Sequence, residues 1–132
     1  MKLGVVIYTY NKIEEACIQM EIIRELRTPH FQEIKIVHTY NGPRENYTQK
    51  YLEDDLLYLE NPGHYEGAAN LMDAGIEQVL KYDIDMIAIN ASDCRWIDPL
   101  KIKKILEKMR KEEKFLGSCP WSISANHEWR GV

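Results

Sequence analysis

Four short apolar runs constrain this chain more than any other feature: LGVVIY at 3–8, IKIVH at 34–38, LLYLE at 56–60 and MIAI within 86–90. They are rich in β-branched residues and largely lack the polar alternation of a half-solvated strand, so they read as strands covered on both faces. Between them lie segments with helical spacing. The resulting order is strand, helix, strand, short connection, strand, helix, strand, helix. It predicts right-handed crossovers and a mostly parallel sheet with helices on both faces, a doubly wound α/β sandwich.

The first helix opens at Asn11, with Glu14 three residues later completing a capping box. Its inward stripe is Ile13, Ala16, Cys17, Met20, Ile23 and Leu26, and Thr28-Pro29 breaks it. Polar residues 44–54 leave room for a short helix. The second long helix covers about 66–81 and carries Leu71, Met72, Ile76, Val79 and Leu80 inward. Asp98-Pro99 reads as an N-cap followed by proline at the first helical position. Ile102, Ile105, Leu106 and Met109 stripe that third helix, and an apolar segment near 115–119 reads as a fifth strand.

With 132 residues, 45% of them hydrophobic and 29% charged, the chain has the size and balance of one globular domain, here 1–120, with a C-terminal tail at 121–132. No apolar run reaches the roughly 18 to 20 residues that span a bilayer, and MKLGVVIYTYNK lacks a signal-peptide cleavage pattern. The expected compartment is the cytoplasm. Cys17, Cys94 and Cys119 are odd in number and far apart, which yields neither a disulfide framework nor a zinc site. A net charge of -4, with basic residues gathered in the acid-interleaved KIKKILEKMRKEEK, argues against nucleic acid as a partner.

In doubly wound sheets, ligands bind at the carboxyl ends of the strands near the topological switch point. After the first strand stand Thr9, Tyr10, Asn11 and Lys12. Asn11 suits a helix cap; Thr9 and Tyr10 also offer hydroxyls, and Tyr10 a ring, to a nucleotide. After the second stand Thr39, Tyr40, Asn41 and Gly42, with His38 as a structural or surface histidine rather than a catalyst. After the third, Gly63, Gly67, Ala68 and Ala69 keep the backbone approachable at a helix start. That suits either a phosphate or close helix–sheet packing. Neither GxGxxG nor a P-loop is present. The fourth ends in Asn90-Ala91-Ser92-Asp93, a turn or a site for a cation-borne diphosphate, for which Asp93 offers one carboxylate.

Taken together, VVIYTYNK, IKIVHTYNGP, LENPGHYEGAANLMDAGIEQ and YDIDMIAINASDCRWIDPLKIKKIL resemble, in order and spacing, the nucleotide-binding half of the family-2 inverting glycosyltransferases of GT-A fold, over about residues 2–120. The resemblance implies a nucleotide-diphosphate sugar bound across the strand ends, and a divalent metal, Mg²⁺ or Mn²⁺, held by an acidic motif. Matched to this chain, Thr9, Tyr10 and Asn11 fall in the first loop, Asn41 in the second, Gly67 and Asn70 in the small-residue helix, with Gly75 near that helix's later glycine. Asn90, Ser92 and Asp93 fall in the acidic motif, with Asp93 as the metal ligand.

The departures are specific. Where the family often has Asp-Ala-Asp-Asp, this chain has Asn90-Ala91-Ser92-Asp93, so two carboxylates are neutral groups. Tyr40 stands where an acid commonly grips the base. Inverting transfer needs a general base, which in the family lies beyond the position of Val132; the tail offers His127 and Glu128. The expected function is therefore transfer of a sugar from a nucleotide donor to an acceptor hydroxyl. The alternative is a GT-A-like binding module for a nucleotide, sugar or protein that no longer catalyses. A nucleotidyltransferase ranks last, since no glycine-rich basic loop follows the first strand. Trp96 either stacks on a sugar or belongs to the core or an interface, and the tail tryptophans are compatible with a homo-oligomer.

Overall fold

The computed structural model describes residues 1–114, Gly117 and two short strands at 121–123 and 129–131. The elements are β1 (Lys2–Thr9), α1 (Ile13–His30), β2 (Glu33–Tyr40), a 3₁₀ turn (Arg44–Asn46), β3 (Asp55–Tyr58), α2 (His64–Val79), β4 (Met86–Ala91) and α3 (Pro99–Lys111). β5 (Trp121–Ile123) and β6 (Trp129–Gly131) pair antiparallel as a separate two-stranded sheet. Apart from Gly117, the segment near 115–119 expected as a fifth strand lies outside the described residues, as do His127 and Glu128.

β1 to β4 form one sheet in the order β3-β2-β1-β4, all parallel. Leu3, Val5, Val6 and Ile7 of the central β1 are fully buried, so both faces of that strand are covered. This is why its sequence is an unbroken apolar run. Odd residues Leu3, Val5 and Ile7, beside Ile34 and Ile36 of β2, pack under Ala16, Met20 and Ile23 of α1 and Leu106 of α3. The other face joins Val6 and Val37 to Val79 of α2. The doubly wound α/β architecture expected from the sequence is the one observed.

α2 lies unusually close to β1. A Cβ on Gly75 would stand 2.2 Å from Val6 Cγ1, and one on Gly4 2.6 Å from Val79 Cγ2. Two glycines, each opposite a valine of the other element, thus set the helix–sheet distance. On the opposite face Arg24 ties α1 to the sheet. Its guanidinium donates to the carbonyls of Leu52 (2.9 Å from Nε) and Ile34 (3.1 Å) and to Asp54 Oδ2 (3.0 Å). Asp54 in turn accepts from the Ile36 N–H at 2.7 Å.

Several boundaries differ from the sequence reading. β2 extends to Tyr40, which places Thr39 and Tyr40 inside the strand. β3 stops at Tyr58 and α2 starts at His64. α1 runs through Pro29 to His30. The first bond of α1 runs from the Ala16 N–H to the Lys12 carbonyl at 3.1 Å, so Lys12, not Asn11, occupies the cap position. The Asp98 cap holds as read: its Oδ1 accepts from the Lys101 N–H at 2.9 Å, with Pro99 at the first helical position. Ile105 is half-exposed, and Leu80, beyond the last turn of α2, is largely exposed.

Candidate functional site

The chain passes from β1 outward to β2 and β3, then crosses back beneath α2 to add β4 on the far side of β1. The order therefore reverses between β1 and β4, where a crevice opens at the carboxyl ends of the strands. A cavity of about 540 Å³ occupies it, within the roughly 300–1,000 Å³ typical of small-molecule sites. Tyr8, Tyr10, Asn11 and Lys12 come from the end of β1, and Asn41 from β2. Asn61, His64, Ala68 and Leu71 come from the β3–α2 segment, and Ala91, Ser92 and Asp93 from β4.

The parity of the strands decides which side chains reach it. Tyr8 and Ala91 are register partners on the α2 side of the sheet, and both line the cavity. Thr9 and Asn90, one residue out of step, point to the α1/α3 side. Thr9 is buried, with its Oγ1 2.9 Å from His38 Nε2. With its amide assigned by the hydrogen-bond network, Asn90 accepts from the Trp96 indole N–H at 2.8 Å. Trp96 is itself buried in the core, which settles its place between stacking platform and packing residue. Of the nine residues singled out from the sequence, Tyr10, Asn11, Asn41, Ser92 and Asp93 thus line the cavity. Thr9 and Asn90 face the other layer, and Asn70 is exposed on α2 outside the lining.

Gly67 acts through its neighbours. A Cβ there would stand 2.5 Å from Asn61 Oδ1 and 2.9 Å from Asn41 Nδ2, two amides of the cavity wall. Gly42 has a similar role: its Cβ would stand 2.0 Å from the Tyr10 carbonyl oxygen, so the loop after β2 can close on the loop after β1 only with glycine there. Gly63, at φ 151°, takes a conformation open to glycine and starts α2 without a side-chain cap. The first residue of that helix, His64, stands in the cavity wall. Asn41 is 7% exposed, and its Oδ1 has no hydrogen-bond partner. An unpaired buried acceptor of this kind is uncommon in a folded chain.

The charged feature is an ion pair. Lys12 Nζ lies 2.5 Å from Asp93 Oδ2, joining the loops after β1 and β4, with both side chains about half-exposed. The hydrogen bond from Lys12 holds the Asp93 carboxyl below the usual carboxylate range, and the same bond raises Lys12. Among the described residues no group of three or more His, Cys, Asp and Glu side chains is arranged to hold a metal ion. The set expected for Mg²⁺ or Mn²⁺ does not fit one. Asn90 faces the other layer, Ser92 is neutral, and the carboxylate of Asp93 is engaged by an ammonium. Lys12, Asn61, His64 and Leu71 were not among the site residues expected from the sequence. Only Lys12 carried a signal, as a cation directly after Thr-Tyr-Asn.

The parallel sheet, its helices on both faces and the crevice at the order reversal define a doubly wound α/β fold. That fold is similar to a solved one: the chain matches the crystal structure of S. aureus TarS 1-349, a glycosyltransferase, with a TM-score of 0.57 over 93% of its length, at 15% sequence identity. It spans 39% of that chain. No family model matches the chain, and no curated protein sequence does.

Proposed function

We propose that the crevice binds a nucleotide-diphosphate sugar, and that the chain is the donor-binding half of a family-2, GT-A-type glycosyltransferase. The observation that carries this reading is the cavity at the β1/β4 switch point in a fold shared with a glycosyltransferase. Its lining matches the chemistry of such a ligand. Tyr10, half-exposed, offers a ring for stacking on a base, and the Asn41 amide adds a polar group to the wall. Asn11 and Ser92 supply further polar contacts, and Gly67 leaves the room that Asn41 and Asn61 occupy.

Inverting transfer replaces the bond from the anomeric carbon to the diphosphate with one to the acceptor oxygen, whose proton passes to a general base. Among the described residues lining the cavity, Asp93 is the sole carboxylate, and it is paired with Lys12. That pairing favours a second reading, a module that binds the donor without transferring its sugar.

Titration calorimetry with UDP and GDP, followed by assays of UDP- and GDP-sugar consumption, separates the cases. Binding with turnover supports the transferase, and binding without turnover supports the module. No binding by a folded protein removes both.

A further inference from the structure

We infer that the crevice holds the diphosphate of its ligand without a divalent cation, the Lys12 ammonium standing in the metal's place and Asp93 acting to position it. The inference rests on the reading of the crevice as a nucleotide-diphosphate site and concerns how that site meets the ligand's charge. A diphosphate bound in a cleft needs cationic partners to offset its charge. A divalent ion needs several hard oxygen ligands, with carboxylates supplying the charge that draws it in. The β4 end supplies one carboxylate, and a bound ammonium already neutralises it.

The same geometry gives Lys12 the means to do the metal's work. An ammonium has three donors in a roughly tetrahedral array. One is spent on Asp93, which fixes Nζ at the boundary between the β1 and β4 loops; the others are available to phosphate oxygens. The side chain is about half-exposed and lines the cavity, so its head is accessible. Two further features sit around it. The N-terminus of the 16-residue α2, uncapped by any side chain, stands in the same wall through His64, adding partial positive charge. Independently, Asn41 in that wall is buried with its Oδ1 unpaired, so one polar group beside the cavity is left unsatisfied. Asp93 adds a negative charge close to the anion. Its pairing with Lys12 offsets that charge and holds the ammonium in one place.

A metal site and an ammonium site respond oppositely to the same substitutions. Binding of UDP and GDP is measured by calorimetry in excess EDTA and again with MnCl₂, for the wild type, Lys12→Ala, Lys12→Arg and Asp93→Asn, each checked for folding by circular dichroism. The expected result is nucleotide affinity that EDTA leaves unchanged within about twofold. Lys12→Ala lowers it by about tenfold or more, as loss of a charged hydrogen bond does, and Lys12→Arg restores part of it. Asp93→Asn changes it by less than about threefold, because the ammonium is loosened while a repulsive charge is removed. Binding that requires Mn²⁺ and is lost in Asp93→Asn but kept in Lys12→Ala overturns the inference and leaves the nucleotide-sugar reading standing. Failure of both nucleotides to bind, with or without Mn²⁺, removes the two together.

Discussion

Lys12 and Asp93 stand 81 positions apart in sequence, yet Nζ of one lies 2.5 Å from Oδ2 of the other, across the mouth of the crevice. The pair exists because β4 is laid down beside β1 rather than beside β3. Exposed ion pairs contribute little to stability, since water and salt screen them and ordering two long side chains costs entropy. Lys12→Ala and Asp93→Asn are therefore expected to melt close to the wild type while differing from each other in ligand affinity. A large drop in melting temperature for either would assign the pair a structural role instead.

Gly75 sets the spacing between α2 and β1. Alanine there would gain up to about 1 kcal/mol of helix propensity, but its Cβ would meet Val6 Cγ1 at 2.2 Å, in a side chain with no exposed surface to retreat to. Overpacking of this kind typically costs about 1–3 kcal/mol, so Gly75→Ala should be a net destabilisation by urea denaturation. Val6→Ala in the same chain should recover part of the loss by making room. If the double variant is less stable than the sum of its two singles, the contact is not the cause.

His38 makes stability depend on pH. Its ring is buried, with Nε2 2.9 Å from Thr9 Oγ1, Nδ1 4.0 Å from Glu53 Oε1, and the rings of Tyr40 and Tyr47 alongside. Burial disfavours the imidazolium and lowers the pKa to about 4 from an ordinary 6.5. The unfolded chain therefore takes up a proton below pH 6.5 that the folded one refuses until near pH 4. Stability is fully present above that window and falls as pH drops through it, by an amount on the order of 3 kcal/mol at pH 4. Urea denaturation of the wild type and His38→Gln at pH 7 and pH 4.5 isolates this contribution from that of the carboxylates. Equal acid losses in the two proteins would show that His38 is not its source.

Gly42 couples fold to site. A methyl group there would lie 2.0 Å from the Tyr10 carbonyl oxygen, a backbone atom that can yield only by moving the loop after β1. Gly42→Ala is expected to weaken nucleotide binding by about tenfold or more through displacement of Tyr10, Asn11 and Lys12, with a stability loss of about 1–3 kcal/mol. Unchanged binding in a folded variant would mean that the loop's position is not critical to the ligand.

The strands, the three helices and their alternation were legible because each depends on local pattern. A strand covered on both faces must be apolar at successive positions, as in LGVVIY, and Asp98-Pro99 caps its helix with atoms three residues apart. The carboxyl-end location of the cavity followed from the same pattern. Site membership did not, because it turns on register and strand order. Thr9 and Asn90 sit at the right ends of the right strands but one residue out of phase with Tyr8 and Ala91, and a strand's two-residue period sends them into the opposite layer. The partnership of Lys12 with Asp93 was equally invisible, since no local rule relates residues 81 apart. The sequence by itself determined which segments are strands and helices and which loops carry polar chemistry. Only the tertiary structure decided which of those side chains meet, because side-chain direction alternates along a strand and neighbours across a parallel sheet are set by crossovers rather than by distance along the chain.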